Sequence, residues 1–166
     1  MIDNKLKEQF IPIFEKNIGI ILKISRAYST TTHDREDLIN DIALELWKAF
    51  PNFRGDSKIS TWIYRIALNV SMNYSRKKKS NFLSFSETNL FEVSDWLSNE
   101  ENNEQSELLY ECIDELKEFN KVIILLYLDG NSYEAISTIT GISKTNVGTR
   151  ISRIKEQIKE IINTKK

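Results

Sequence analysis

At 166 residues, with 40% hydrophobic and 28% charged residues, the chain has room for one medium domain or two small ones. Five glycines and two prolines beside abundant Ile, Leu, Lys and Glu favour helices over short strands. A single cysteine and a single histidine exclude an internal disulfide and a His/Cys zinc site within one chain, and the net charge of −1 excludes little by itself.

In chain order, a first helix is expected over about residues 4–28, with Phe10, Phe14, Ile18, Ile21 and Ile24 on its buried side. Pro12 argues for an interruption there or for a later start near Ile13. After a polar break at residues 30–33, a second helix is expected from about Asp34, its acidic first turn suiting the helix dipole. It carries Leu38, Ile42, Leu46 and Trp47 inward and stops at Pro51. A loop with Gly55 leads to a third helix over about residues 58–79, whose inner stripe reads Ile59, Trp62, Ile63, Ile66 and Val70. Residues 80–106 lose periodicity and turn to Ser, Asn and Glu, so a flexible acidic linker is expected, with Phe82, Leu83, Phe85, Leu90, Phe91, Val93, Trp96 and Leu97 scattered in it. Two further helices follow, over about residues 107–119 and 121–128.

Residues 129–154 then read as a helix-turn-helix. Ser132 caps a short helix with Ile136 and Ile139 inward, Gly141 breaks it, and Ser143 caps a second helix running to about Asn163. That helix has Val147, Ile151, Ile154 and Ile158 on its apolar side. Ser143, Lys144, Thr145, Asn146, Thr149, Arg150 and Arg153 are left to reach bases and phosphates from a major groove. No segment alternates as a strand. The expected fold is all-α: two small helical domains joined by a flexible linker, the C-terminal one a helix-turn-helix, over residues 1–80, 81–106 and 107–166.

Charge divides along the same lines. Residues 1–80 hold 14 Lys/Arg against 9 Asp/Glu, residues 81–118 hold 1 against 11, and residues 119–166 hold 8 against 4. Two basic blocks around an acidic one suit two nucleic-acid-binding parts and a solvated connector. Residues 1–7 mix Asp with Lys, unlike a signal peptide, and the apolar run 122–128 is too short to span a bilayer. A cytoplasmic protein without membrane insertion is expected.

Enzyme chemistry finds no home in the residues. His33 stands in a polar break, Cys112 lies in an apolar helical pattern as a core cysteine, and Gly130 and Gly141 belong to helix connections rather than a phosphate loop. Glu36, Asp37 and Asp41 suit a helix start, and Glu100 and Glu101 a connector. No catalytic residue, metal ligand or cofactor is expected.

On the third helix Arg65, Asn69, Asn73 and Arg76 recur at spacings of four, four and three, and Lys77, Lys78 and Lys79 extend the charge. Such a strip suits phosphates and exposed bases, and Trp62 and Tyr64 offer stacking surfaces for unpaired bases. Trp62 equally fits a core position, and a lysine run at a helix end equally fits the dipole.

The run Phe53-Arg54-Gly55-Asp56-Ser57, followed by Thr61-Trp62-Ile63-Tyr64-Arg65-Ile66-Ala67 and Asn69, closely resembles the promoter-melting segment of extracytoplasmic-function (ECF) sigma factors of the sigma-70 family. Asp37-Leu38-Ile39-Asn40-Asp41 resembles their polymerase-docking helix, and residues 128–154 resemble their fourth region. The resemblance spans about residues 8–80 and 108–162. It implies a non-catalytic protein that gives core RNA polymerase promoter specificity and helps open the duplex. Asp37, Leu38, Asn40, Asp41 and Glu45 would contact the polymerase. Arg54, Ser57, Trp62, Tyr64, Arg65, Asn69, Asn73, Arg76 and Lys77 would hold flipped minus-ten bases, with Asn69 a pocket residue. Ser143, Lys144, Thr145, Asn146, Thr149, Arg150 and Arg153 would read the minus-thirty-five duplex. An anti-sigma partner is a further family expectation. Gly148 stands where many relatives have Lys or Arg, which a close approach of backbone to DNA would explain, and Ile154 stands where many have Ala. The other readings are a stand-alone helix-turn-helix regulator, which leaves residues 34–76 without a purpose, and a protein-interaction module, which the retained Lys144, Arg150 and Arg153 disfavour.

Overall fold

The computed structural model describes residues 2–79 and 104–165, which are all-α: eight α-helices and no strand among the described residues. They fall into two compact units, one within Met1–Glu100 and one within Glu101–Lys166. The acidic connector expected over residues 81–106 lies outside the described residues, scattered aromatics included. Its last three residues, 104–106, open a helix instead.

In the first unit α1 spans Ile2–Lys16 and α2 spans Ile18–Ala27, so the single helix expected over residues 4–28 is two. The break is not at Pro12, which lies inside α1 at an exposed position, where a carbonyl left without its N–H partner is open to solvent. It falls at Asn17, whose side-chain amide donates to the Ile13 carbonyl at 2.8 Å and competes with continuation of the helix. Helix α3 spans Thr32–Ala49. Thr31 caps it, its hydroxyl oxygen accepting from the Asp34 N–H at 3.1 Å. Pro51 ends it through a 3-10 turn at Phe50–Asn52, and α4 spans Ile59–Lys79.

The core of this unit is Phe10, Phe14, Ile21, Ile24, Leu38, Ile39, Ile42, Leu46, Ile63, Tyr64, Ala67 and Leu68. On α4 the buried positions are Ile63, Tyr64, Ala67, Leu68 and Ser71, so the expected stripe is rotated by about one residue. Ile59, Trp62, Ile66 and Val70 are only half-buried. Small buried residues, Ser25 and Ala27 on α2, Ala43 on α3, Ala67 and Ser71 on α4, let these three helices approach closely. Large aliphatic residues alone therefore misplace the stripe.

Tyr74 ties α4 to the start of α3 through a hydrogen bond between its hydroxyl and the Asp34 carboxylate. Burial, then Asp34 and the neighbouring Asp37 and Asp41, push its phenol well above the ordinary tyrosine value of 10.0. The stability this bond contributes is complete below pH 10 and is lost as pH rises further, because only the unfolded chain releases the proton easily. In urea unfolding, Tyr74→Phe is expected to cost about 0.5–1.5 kcal/mol at pH 7 and to flatten the alkaline fall. An equal fall in both proteins between pH 9 and 11 would remove Tyr74 as its source.

The second unit holds α5 over Glu104–Asp114, α6 over Glu118–Leu128, α7 over Tyr133–Thr140 and α8 over Lys144–Lys165. Cys112, Ile113, Leu116, Val122, Ile123, Ile124, Leu125, Leu126, Ile136, Val147, Ile151 and Ile154 form its core. Ile139 and Ile158 are half-buried at its margin. Lys165 closes the end of α8 onto α5, its ammonium 3.0 Å from Glu115 and 3.7 Å from Glu111. No helix among the described residues is long and apolar enough to cross a membrane.

Candidate nucleic-acid interface

The loop before α4 is fixed by aromatic rings. Phe10 contacts Phe14, Trp47 and Phe50 at centroid distances of 5.7, 5.4 and 5.3 Å. Phe50 continues to Trp62 at 6.4 Å, and Phe53 lies 4.9 Å from Trp62. This chain joins α1, α3, the 3-10 turn, the loop and α4, with pairs at spacings that add to simple burial. Trp62 is half-buried beneath Phe53, so it anchors the loop rather than standing open as a base platform. Gly55 turns the loop at φ +77°, a conformation that costs other residues about 1 kcal/mol or more. Arg54 is exposed on that loop and Ser57 is half-buried.

Beyond the loop, Arg65, Asn69, Asn73, Arg76 and Lys77 are all exposed along one side of α4. Tyr64 is not with them: at 5% exposure it is part of the core, one position round from the strip, and has no open face to offer a base. The sequence placed it outward because the stripe was read one residue out of register.

The expected polymerase-docking residues divide in the same way. Leu38 at 0% and Asn40 at 7% exposure face the interior, which removes both from an accessible contact surface. Their spacing explains this, since Leu38, Ile39, Ile42 and Leu46 complete one buried side and Asn40 is drawn in beside them. Asp37 and Asp41 are half-buried on the side that raises the Tyr74 phenol, and Asp37 Oδ2 lies 3.5 Å from His33 Nε2. Glu45 is exposed, 3.5 Å from Lys48.

In the second unit the helix-turn-helix is capped at each joint. Ser132 Oγ accepts from the Ala135 N–H at 3.0 Å, Gly141 takes φ +84° with its N–H donating to Ser137 at 2.8 Å, and Ser143 Oγ accepts from the Asn146 N–H at 3.1 Å. Ser143 is exposed, and with one lone pair on the cap its hydroxyl keeps a proton to donate. Lys144, Thr145, Asn146, Thr149 and Arg153 are exposed along α8, and the Thr149 hydroxyl donates to the Thr145 carbonyl at 3.1 Å. Arg150 departs from the expected set. It is half-buried and turns towards α6, where it meets Phe119 and Asn120.

Gly148 also has a reason inside the protein. A Cβ there would stand 3.3 Å from Cε2 and 3.6 Å from Cδ2 of Tyr133, so the ring of α7 fills the space that a side chain on α8 would occupy. Tyr133, 36% exposed, stacks at a tilt 6.3 Å from Tyr127, and the Lys155 ammonium donates to the Tyr127 hydroxyl at 2.9 Å while lying 4.5 Å from its ring centre. That hydroxyl holds the Lys155 ammonium above the ordinary lysine value. Tyr127, Tyr133, Lys155, Phe119 and Asn120 were all missed from the sequence. Helical periodicity reports faces of one helix, and these pairs join different helices.

The geometry defines a class: two separate helical units, each carrying a polar, basic helix flank turned away from its own core. Residues 13–81 match the Sigma-70 region 2 family and residues 106–158 the Sigma-70, region 4 family. The chain is 34% identical over 137 residues to the ECF RNA polymerase sigma-E factor of Escherichia coli K12, spanning 75% of this chain and 72% of that protein. It is 27% identical over 155 residues to the RNA polymerase sigma-H factor of Pseudomonas aeruginosa, spanning 86% and 78%. In fold it is similar to CnrH, solved with the cytosolic domain of CnrY, at a TM-score of 0.70 and 16% identity over 96% of this chain and 91% of that one. It is similar also to the sigma factor RpoE of Bartonella quintana, solved with the anti-sigma factor NepR, at 0.69 and 18% over 96% and 99%. This chain belongs to the ECF sigma factors of the sigma-70 family. The match over residues 13–81 leaves the stand-alone regulator without support.

A double-mutant cycle tests the packing at Gly148. Gly148→Ala replaces a poor helix former worth about 1 kcal/mol, but the Tyr133 ring must give way by a few tenths of an ångström. Thermal unfolding is expected to show the full gain only in a Tyr133→Ala background and a smaller one in the wild type. Equal gains in the two backgrounds would mean that the ring is no constraint.

Proposed function

We propose that this protein binds core RNA polymerase and directs promoter-specific transcription initiation. Residues 1–80 would dock on the polymerase and melt the minus-ten element, and residues 107–166 would read the minus-thirty-five element, with residues 81–106 between them. The observation that carries this reading is the pairing, in one chain and in family order, of the Arg65–Asn69–Asn73–Arg76 strip with a fully capped helix-turn-helix.

Arg54, Arg65, Arg76 and Lys77 neutralise phosphates of the displaced strand, and Asn69 and Asn73 hydrogen-bond extruded bases, with Ser57 at the loop edge. Extruding a base costs a few kcal/mol, which these contacts must offset. Trp62 contributes by holding the loop. Asp37, Asp41 and Glu45 supply the acidic docking face, and Lys144, Thr145, Asn146, Thr149 and Arg153 the upstream readout. The protein catalyses nothing itself and works in the cytoplasm, where a partner of the kind seen with CnrH and with RpoE holds it in check.

In vitro transcription with core polymerase on a pool of genomic fragments tests the whole reading. Starts are expected to concentrate at a few promoters when the protein is added, and unchanged start sites would sink it. Asn69→Ala is expected to reduce promoter opening, read by permanganate reactivity of unpaired thymines, several-fold more than closed-duplex binding. Equal losses in both would refute the pocket role.

A further inference from the structure

Arg150 lies on the helix that faces DNA in the reading above, yet its side chain is committed within the protein. Its Nε donates to Asn146 Oδ1 at 3.2 Å, one turn earlier on α8. Its Nη1 donates to Asn120 Oδ1 at 3.3 Å, on α6. The guanidinium carbon stands 4.8 Å from the centre of the Phe119 ring, the residue before Asn120. One arginine thus spans an amide on the reading helix and an amide on the helix beneath it, seated on an aromatic face.

The chemistry of the guanidinium fixes more than its own place. It carries only donors, so the atom that each asparagine turns to it is the amide oxygen. An asparagine amide at a surface has two orientations related by a flip, and Arg150 removes one of them at Asn146. Asn146 is exposed in the first turn of α8, with its backbone N–H held by the Ser143 cap. Its Oδ1 keeps a second lone pair, and its Nδ2 protons have no partner among the described residues. First-turn residues of a recognition helix are the ones that meet base edges.

We propose that Arg150 is a positioning residue for base readout: it holds the Asn146 amide edge outward, oxygen and nitrogen together, to read one adenine of the upstream element. An edge that accepts and donates side by side matches the N6 and N7 groups of adenine in the major groove and no other base as well. Lysine cannot replace arginine here, because a point charge on a flexible stem does not bridge two acceptors in fixed directions. The proposal rests on the reading of α8 as the promoter-reading helix.

The test uses core polymerase loaded with the full chain and duplexes of a promoter found by the transcription experiment, each base pair of the upstream element changed in turn. Wild type is expected to prefer A·T at one position by on the order of tenfold. Asn146→Ala erases the preference there and nowhere else. Arg150→Lys keeps overall affinity within a few-fold but loses most of that same preference. Asn120→Ala, on another helix, loosens it several-fold, and Asn120→Asp, which keeps an acceptor for Nη1, retains it. Circular dichroism melts run on every variant, and the two Asn120 variants carry the test if an α8 variant unfolds. The proposal is overturned if Arg150→Lys keeps the preference, if loss at Arg150 weakens all sequences alike, as a phosphate contact would, or if it shifts preference at a different base pair. A wild-type protein with no preference anywhere in the upstream element would sink the promoter-reading role itself, a separate result.

Discussion

Both helices proposed to face DNA are held by a single apolar side, and everything else in each unit follows from that constraint. On α4 the hold is Ile63, Tyr64, Ala67, Leu68 and Ser71, and on α8 it is Val147, Ile151 and Ile154. Hydrophobic burial has no direction of its own. A helix fastened along one side can still roll, and a roll of one residue would carry a polar strip out of reach. Each unit therefore needs something directional to stop the roll.

The two units solve this differently. In the first, the run of rings from Phe14 through Phe10, Phe50 and Trp62 to Phe53 grips the start of α4, while the Tyr74–Asp34 bond grips it near the far end. In the second, caps at Ser132, Gly141 and Ser143 set the turn, Arg150 ties α8 to α6, and Lys165 ties its end to α5. Aromatic contact suits a loop that must be presented in one shape. Hydrogen-bonded caps suit a tight turn whose backbone donors would otherwise go unmet.

Much of this was legible in the residues, and the failures share a cause. Ser132, Gly141 and Ser143 announced the helix-turn-helix because caps are local, needing only neighbours within a few positions. The exposed strip of α4 was equally plain from its spacing. Tyr64, Leu38 and Asn40 were misread because burial depends on which helix arrives opposite, and small residues such as Ala67 and Ser71 decide how close it comes. Pro12 misled in the other direction, since a proline at an exposed position interrupts less than an asparagine that captures a carbonyl. Arg150 looked outward on a helical wheel because nothing local reveals Asn120 thirty residues away.

The seat of Tyr133 against Gly148 bears on how such a protein changes over generations. The surface at that point of α8 belongs to two helices, one lending the ring and the other withholding a side chain. A side chain at position 148 requires the Tyr133 ring to shift by a few tenths of an ångström, and losing the ring leaves a gap beside a glycine that weakens the helix. The two positions are therefore coupled, so that the cost of a substitution at one is set by the residue standing at the other.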